Sequence, residues 1–318
     1  MNEEEKYLLN TRTKEALSSY ISENYFHKNF KIDEINHTTG WWISKTRDNR
    51  YIIFLVKDII NELDFEVIGK MKNVVSGIYQ LRLTDSGMIL TDLLQQPNID
   101  FSLEQFLKLW NHHNSKGAIE HKENSEIKNS YWEYFKNEKI EYKVIKQIKI
   151  ENQFLKKYFY STNIDYILKN NIGILLLEIK YKYPSRNKTY GINSMQYDVY
   201  SLFQGQGMIA FNVVLENVQR IDILKRQNGS QVWKYSRIKQ NLTEKKYAPK
   251  ETSYDQNGKQ GYYELQASSY HQLKYDSNIF NLVCPKCKGN LIKRNGKYGE
   301  FLGCINYLES DCKGNLSL

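Results

Sequence analysis

The first 283 residues contain no cysteine, and all four thiols fall between 284 and 312. In a chain of 318 residues this excludes a disulfide framework and leaves the cysteines one local task. No apolar run approaches the roughly 18 to 20 residues that cross a bilayer. The opening "MNEEEKYLLN" is acidic where a secretory signal is basic and then apolar, so the expected location is the cytoplasm, with no membrane partner. A Ser-His-Asp set, a Walker loop, a dinucleotide fingerprint and an internal repeat are also missing.

What is present is a basic chain of ordinary apolar content. Lys and Arg number 45 against 36 Asp and Glu, a formal charge of +9, which favours a polyanionic partner. The length predicts two or three modules with a real core. Residues 1–118 read as an α+β region of unassigned role, a place for a homo-oligomer contact or a protein partner. In it, "EEEKYLLNTRTKEALSSYISENYF" has the spacing of one amphipathic helix, and "WWISK" and "RYIIFLVKD" read as strands. "FSLEQFLKLWNHH" reads as a helix capped by Ser102, with Glu104 in its first turn. Trp41 and Trp42 are read as core or interface aromatics, and His112 and His113 as a solvated last turn. The polar stretch 113–130 marks a boundary, after which 119–250 form an α/β module, 251–280 a linker and 281–318 a tail. The basic run "KRQNGSQVWKYSRIKQ" is either a charged surface or a nucleic-acid channel with Trp233 and Tyr235 as stacking platforms.

The chemistry-bearing pattern lies in the α/β module. In "IGILLLEIKYK" a buried strand ends with Glu178 and Lys180, two residues apart and so on one face, while Ile179 points away. Two carboxylates can hold Mg²⁺ through oxygen, lower the pKa of a bound water and work beside an ammonium. The second carboxylate is Asp165 in "STNIDYIL", separated from Glu178 by enough chain for a turn and an antiparallel return. In the following "MQYDVYSLF", Gln196 and Tyr200 stand one helical turn apart.

An Asp, a spacer, Glu-x-Lys on an apolar strand and a helix with Gln-x-x-x-Tyr resemble the PD-(D/E)XK nuclease superfamily, and within it the RecB-type and Cas4-type branch. The resemblance covers roughly residues 130 to 220. It implies a restriction-endonuclease-like mixed-sheet core inside an α/β (α+β) protein. Asp165 and Glu178 would be ligands of Mg²⁺ (or Mn²⁺), Lys180 the water-orienting or phosphate-stabilising group, and Gln196 and Tyr200 supports. Glu133 or Glu151 would be the additional acid that members often take from a preceding helix. The implied activity is metal-dependent endo- or exonuclease cleavage of DNA in restriction, defence or repair. The alternative is a non-catalytic nucleic-acid-binding adaptor with a degenerate nuclease fold.

The tail spaces its cysteines C-x2-C-x16-C-x7-C at Cys284, Cys287, Cys304 and Cys312. A knuckle followed by a second pair is what a closed tetrahedral zinc site needs, and 38 residues cannot build a core without one. "CPKC" and "GKYGEFLGC" resemble the C-terminal zinc finger of bacterial type I topoisomerases, with a longer spacing before the last cysteine. That resemblance implies single-stranded DNA binding, for which Lys293, Arg294, Lys297, Tyr298, Phe301 and Tyr307 combine bases and rings in the required way.

Overall fold

The computed structural model describes residues 2–30, 37–46, 48–85, 87–95, 97–110, 125–170, 173–217, 222–225, 232–238, 246–247, 261–273, 284, 286–287, 291–297, 299–304, 306–307 and 312–317. His112, His113 and Tyr298 lie outside them. The chain is a mixed α+β protein with a C-terminal ribbon.

Where the sequence reads as one amphipathic helix, two form: α1 (Glu3–Asn10) and α2 (Lys14–Phe30). Side chains near and far in sequence hold the break. The carbonyls at the end of α1 are taken by side chains, Leu8 by the Thr11 hydroxyl at 2.6 Å and Leu9 by the buried Lys128 ammonium at 3.0 Å. Lys128 also donates to the Arg12 carbonyl.

Among the described residues two six-stranded sheets dominate. The first runs in the order β6 (Ile99–Ser102), β5 (Gly87–Asp92), β4 (Gly77–Thr84), β3 (Tyr51–Val56), β2 (Trp41–Lys45), β7 (Tyr160–Ile164). It is flanked by α3 (Glu62–Met71) and α4 (Leu103–Leu109), the latter capped by Ser102, whose hydroxyl accepts from the Gln105 N–H. Trp41 and Trp42 are both buried here.

The second sheet runs β1 (His37–Thr38), β8 (Tyr166–Asn170), β9 (Gly173–Lys182), β11 (Ile209–Glu216), β12 (Trp233–Arg237), β15 (His271–Leu273). Strand β9 is apolar because both its faces are covered. Leu175, Leu177 and Ile179 enter the core shared with α2, whereas Ile174 and Leu176 enter the one shared with α8 (Ser194–Gln204). Parallel pairing of β9 with β11 requires the crossover that α8 supplies.

Strands from both sides of the boundary expected at 118/119 pair in each sheet, β1 with β8 and β2 with β7. The segment expected as a linker contains β14 (Gly261–Gln266), which pairs with β10 (Thr189–Asn193), as well as β15. Trp233 is no stacking platform. It is buried in β12 with Phe26 and Phe30 of α2 at 5.4 and 5.8 Å between ring centroids, and Tyr235 packs on Phe211.

The two sheets exchange strands at one place. His37 pairs with Leu168 and Thr38 with Ile167 in the second sheet, and Trp41 pairs with Ile164 and Trp42 with Asn163 in the first. The register is the same on both sides of the gap, so continuing it sets Gly40 opposite Asp165. Gly40 turns at φ 81°, and a Cβ there would stand 2.8 Å from the Val56 carbonyl oxygen. Asp165 is thus the residue at which the chain leaves one sheet for the other.

Candidate functional site

The β8–β9 hairpin pairs Tyr166 with Leu177, and continuing this register puts Asp165 opposite Glu178. Partners in an antiparallel ladder share a face. Both side chains are buried, and the Asp165 carboxylate accepts from the Ile179 N–H at 2.6 Å and the Asn163 amide at 2.7 Å.

Helix α8 grips Glu178. Its N-cap Asn193 accepts from the Met195 N–H at 2.8 Å, and the first turn then carries Gln196 over the strand. Gln196 Nε2 donates to Glu178 Oε1 at 2.6 Å, and the Tyr200 hydroxyl donates to Oε2 at 2.5 Å. Lys180 forms an ion pair with the same carboxylate on Oε1. Asp165, Glu178, Lys180, Gln196 and Tyr200 therefore come together around one end of β9.

The protonation states follow from the surroundings. Burial pushes the Asp165 carboxyl well above the usual carboxylate range, and the charges of Glu178 and Glu23 push it further. Burial alone would lower the Lys180 ammonium, but Glu178 and then Asp165 outweigh it and hold the ammonium above its ordinary value. Burial, followed by the Glu178 charge, keeps Tyr200 a protonated donor. Lys182, next on this face, is lowered to about 8 by burial and then by Lys180, and it donates to the Gly191 carbonyl at 3.0 Å.

Glu133 and Glu151, the two acids expected as an addition to the site, are each paired elsewhere. Glu133 is exposed on α5 (Ser125–Asn137) and pairs with Lys136 at 2.8 Å, one turn away. Glu151 is buried at the end of α6 (Glu141–Ile150), but its partner is Arg12 at 2.7 Å. Glu23 of α2 is the acid whose charge reaches Asp165 alongside that of Glu178. Burial raises it to about 7 against the pull of Lys143 and Lys180, and Glu178 adds to the rise. In the sequence Glu23 is one acid among 36 on an amphipathic helix, with nothing to mark it before the sheet pairing is known. Carboxylate oxygens are the donors that suit a hard divalent cation. Asp165, Glu178 and Glu23 act on one another electrostatically, but their oxygens are not gathered as closely as the four cysteine sulfurs.

In the ribbon, β16 (Leu291–Gly296), β17 (Gly299–Cys304) and β18 (Asn315–Ser317) form an antiparallel sheet. The four cysteine sulfurs lie within 4.8 Å of one another, and among the described residues no other group of three or more His, Cys, Asp or Glu is gathered as closely. Cys284 and Cys312 are 3.5 Å apart, Cys287 and Cys304 3.3 Å. Tetrahedral zinc with bonds of about 2.3 Å sets its sulfurs about 3.8 Å apart, so the set fits that ion and includes Cys312. Asn306 donates to Cys287 Sγ at 3.7 Å. Gly314 leaves the space that Cys284 Sγ fills, since a Cβ there would lie 2.0 Å from the sulfur.

Of the residues expected on nucleic acid, Lys297 and Tyr307 are exposed and Phe301 is half-buried. Arg294 is turned inward, donating to the Cys304 carbonyl at 3.1 Å with its guanidinium 5.7 Å from the Tyr307 ring centroid. No helix among the described residues is long and apolar enough to cross a membrane. No curated protein and no solved structure matches the chain. Residues 282–316 match the family model of the topoisomerase DNA binding C4 zinc finger, so the C-terminal module, with its four clustered cysteines, is similar to that zinc finger.

Proposed function

We propose that the chain is a divalent-metal-dependent nuclease whose zinc ribbon holds DNA for a phosphodiester-cleaving site at the end of β9. One observation carries this reading: Asp165 and Glu178 oppose each other across the β8–β9 ladder, with Lys180 on the same face and Gln196 and Tyr200 both donating to Glu178. These are the residues that the likeness to the PD-(D/E)XK pattern marks.

Asp165 and Glu178 would hold Mg²⁺ or Mn²⁺, with Glu23 as the further acid. When bound, the ion supplies Lewis acidity and a water of lowered pKa. Gln196 and Tyr200 fix the carboxylate orientation of Glu178. Because Lys180 is held as an ammonium, its part is to orient the water or neutralise a phosphate oxygen rather than to take a proton. Overall one water is consumed: its oxygen forms the new P–O bond, one P–O ester bond breaks, and the proton that the water gives up is balanced by the one that ends on the leaving oxygen.

A second reading has its own support. Glu178 already accepts from Gln196, Tyr200 and Lys180, which satisfies it without a metal, as in an adaptor that only binds. Incubation of the full chain with single- and double-stranded DNA and RNA, in Mg²⁺, Mn²⁺ or EDTA, separates the two. Cleavage that EDTA stops is the expected result, and binding with no cleavage in either ion supports the adaptor.

A further inference from the structure

We infer that the cleft running from Asp165 along α6 is a subsite for one nucleotide of an unpaired strand, with Tyr142 as the ring on which its base stacks. The inference rests on the nuclease reading and supplies the strandedness that it leaves open. The cavity measures about 280 Å³. Asp165 and Glu23 line it, and α6 contributes Tyr142, Lys143 and Lys146. That volume lies near the lower end of small-molecule pockets, roughly 300 to 1,000 Å³. It suits one nucleotide, and a base-paired duplex cannot enter it.

Three features favour a nucleotide. Tyr142 leaves 77% of its surface in solvent beside a buried cluster of ionisable groups, so its ring serves no core. A base stacked on it would cover that ring. Lys143 and Lys146 stand on the same helix as Tyr142, placed to follow a phosphate backbone, although Lys146 is shared with Asp58 at 2.9 Å. Finally, a second cavity of about 240 Å³ adjoins the first, sharing Glu23, Thr39, Lys143 and Gln147. It extends the path to Tyr20, Asn24 and His27 of α2, room for the neighbouring nucleotide of a continuous strand.

The test uses the full chain in EDTA with an oligonucleotide carrying 5-iodouracil at successive positions, as single strand and as duplex. Irradiation should cross-link the single strand to Tyr142, mapped by mass spectrometry, and the duplex should not label there. Tyr142→Ala should lower single-strand affinity by about tenfold, the loss of one stacked base, and Tyr142→Phe should restore it. Because Tyr142 is exposed, neither change threatens folding. Cross-links confined to the ribbon, equal labelling by duplex, or unchanged affinity of Tyr142→Ala would overturn the subsite. Cleavage in Mg²⁺ is scored separately. Cross-linking at Tyr142 without cleavage keeps the subsite and removes the nuclease reading, whereas cleavage without that cross-link removes the subsite alone.

Discussion

Replacing Gly314 by Ala should cost the ribbon its zinc. The added Cβ would sit 2.0 Å from Cys284 Sγ, and Cβ contacts under 3.0 Å are essentially never seen. The two atoms must therefore separate by at least 1.0 Å. Zinc–ligand distances tolerate only about 0.2 Å, so a shift of this size displaces the sulfur from the coordination sphere. Moving the backbone instead breaks the hydrogen bond from the Cys304 N–H to the Gly314 carbonyl, 3.0 Å, which ties two ligand-bearing segments together. Disturbing an outer support alone weakens a metal site by about 10- to 100-fold, and a displaced ligand should reach at least the upper figure, about 2.7 kcal/mol. Zinc competition with a chromophoric chelator measures it. Gly303→Ala is the comparison, because its Cβ would meet the movable Arg294 side chain, with Cδ at 2.6 Å, and should cost less than about tenfold. Zinc affinity of Gly314→Ala within threefold of wild type would refute the geometry.

Other predictions concern the buried acids. Glu151→Ala leaves the Arg12 guanidinium buried without a counter-charge and should destabilise the fold by roughly 3 to 5 kcal/mol in urea unfolding. A change under about 1 kcal/mol would return Glu151 to the list of candidate site acids. Glu23 is raised from 4.5 to about 7, so without a divalent ion its contribution to stability is present below pH 4.5 and lost as pH rises through about 7. Melting temperature followed from pH 4.5 to 8 in EDTA should fall more steeply for wild type than for Glu23→Gln, and Mg²⁺ should raise it most above pH 7. Identical profiles for the two proteins would exclude Glu23 from the acid cluster.

The parts of the site close in sequence were legible, and the distant ones were not. Strand β9 announces itself by an apolar run ending in Glu178 and Lys180, and Gln196 and Tyr200 declare one helix face by their spacing. The four cysteines are confined to 29 residues, so their gathering needs no long-range information. Glu23 is different, because its approach to Lys180 depends on α2 packing across β9. The same long-range packing takes Trp233 into the core against Phe26 and Phe30. Glu151 misleads because an acid near the end of a helix before the Asp165 strand fits the expected order. Its partner Arg12 is 139 positions away, and only the fold brings them together. The split of the first helix has a similar origin, since Lys128 reaches its carbonyls from α5.

On the proposed function, Asp165 and Glu178 act as a pair on a divalent ion to cleave a phosphodiester. The most direct measurement compares wild type, Asp165→Asn and Glu178→Gln under single-turnover conditions with labelled single-stranded DNA, reading cleavage in Mg²⁺ and binding in EDTA from the same preparations. Each substitution should lower cleavage by at least about a hundredfold, as loss of electrostatic stabilisation worth several kcal/mol requires, while ribbon-borne binding and zinc content stay at wild-type values. Cleavage by both variants at the wild-type rate, or none by wild type in Mg²⁺ or Mn²⁺, would contradict the account.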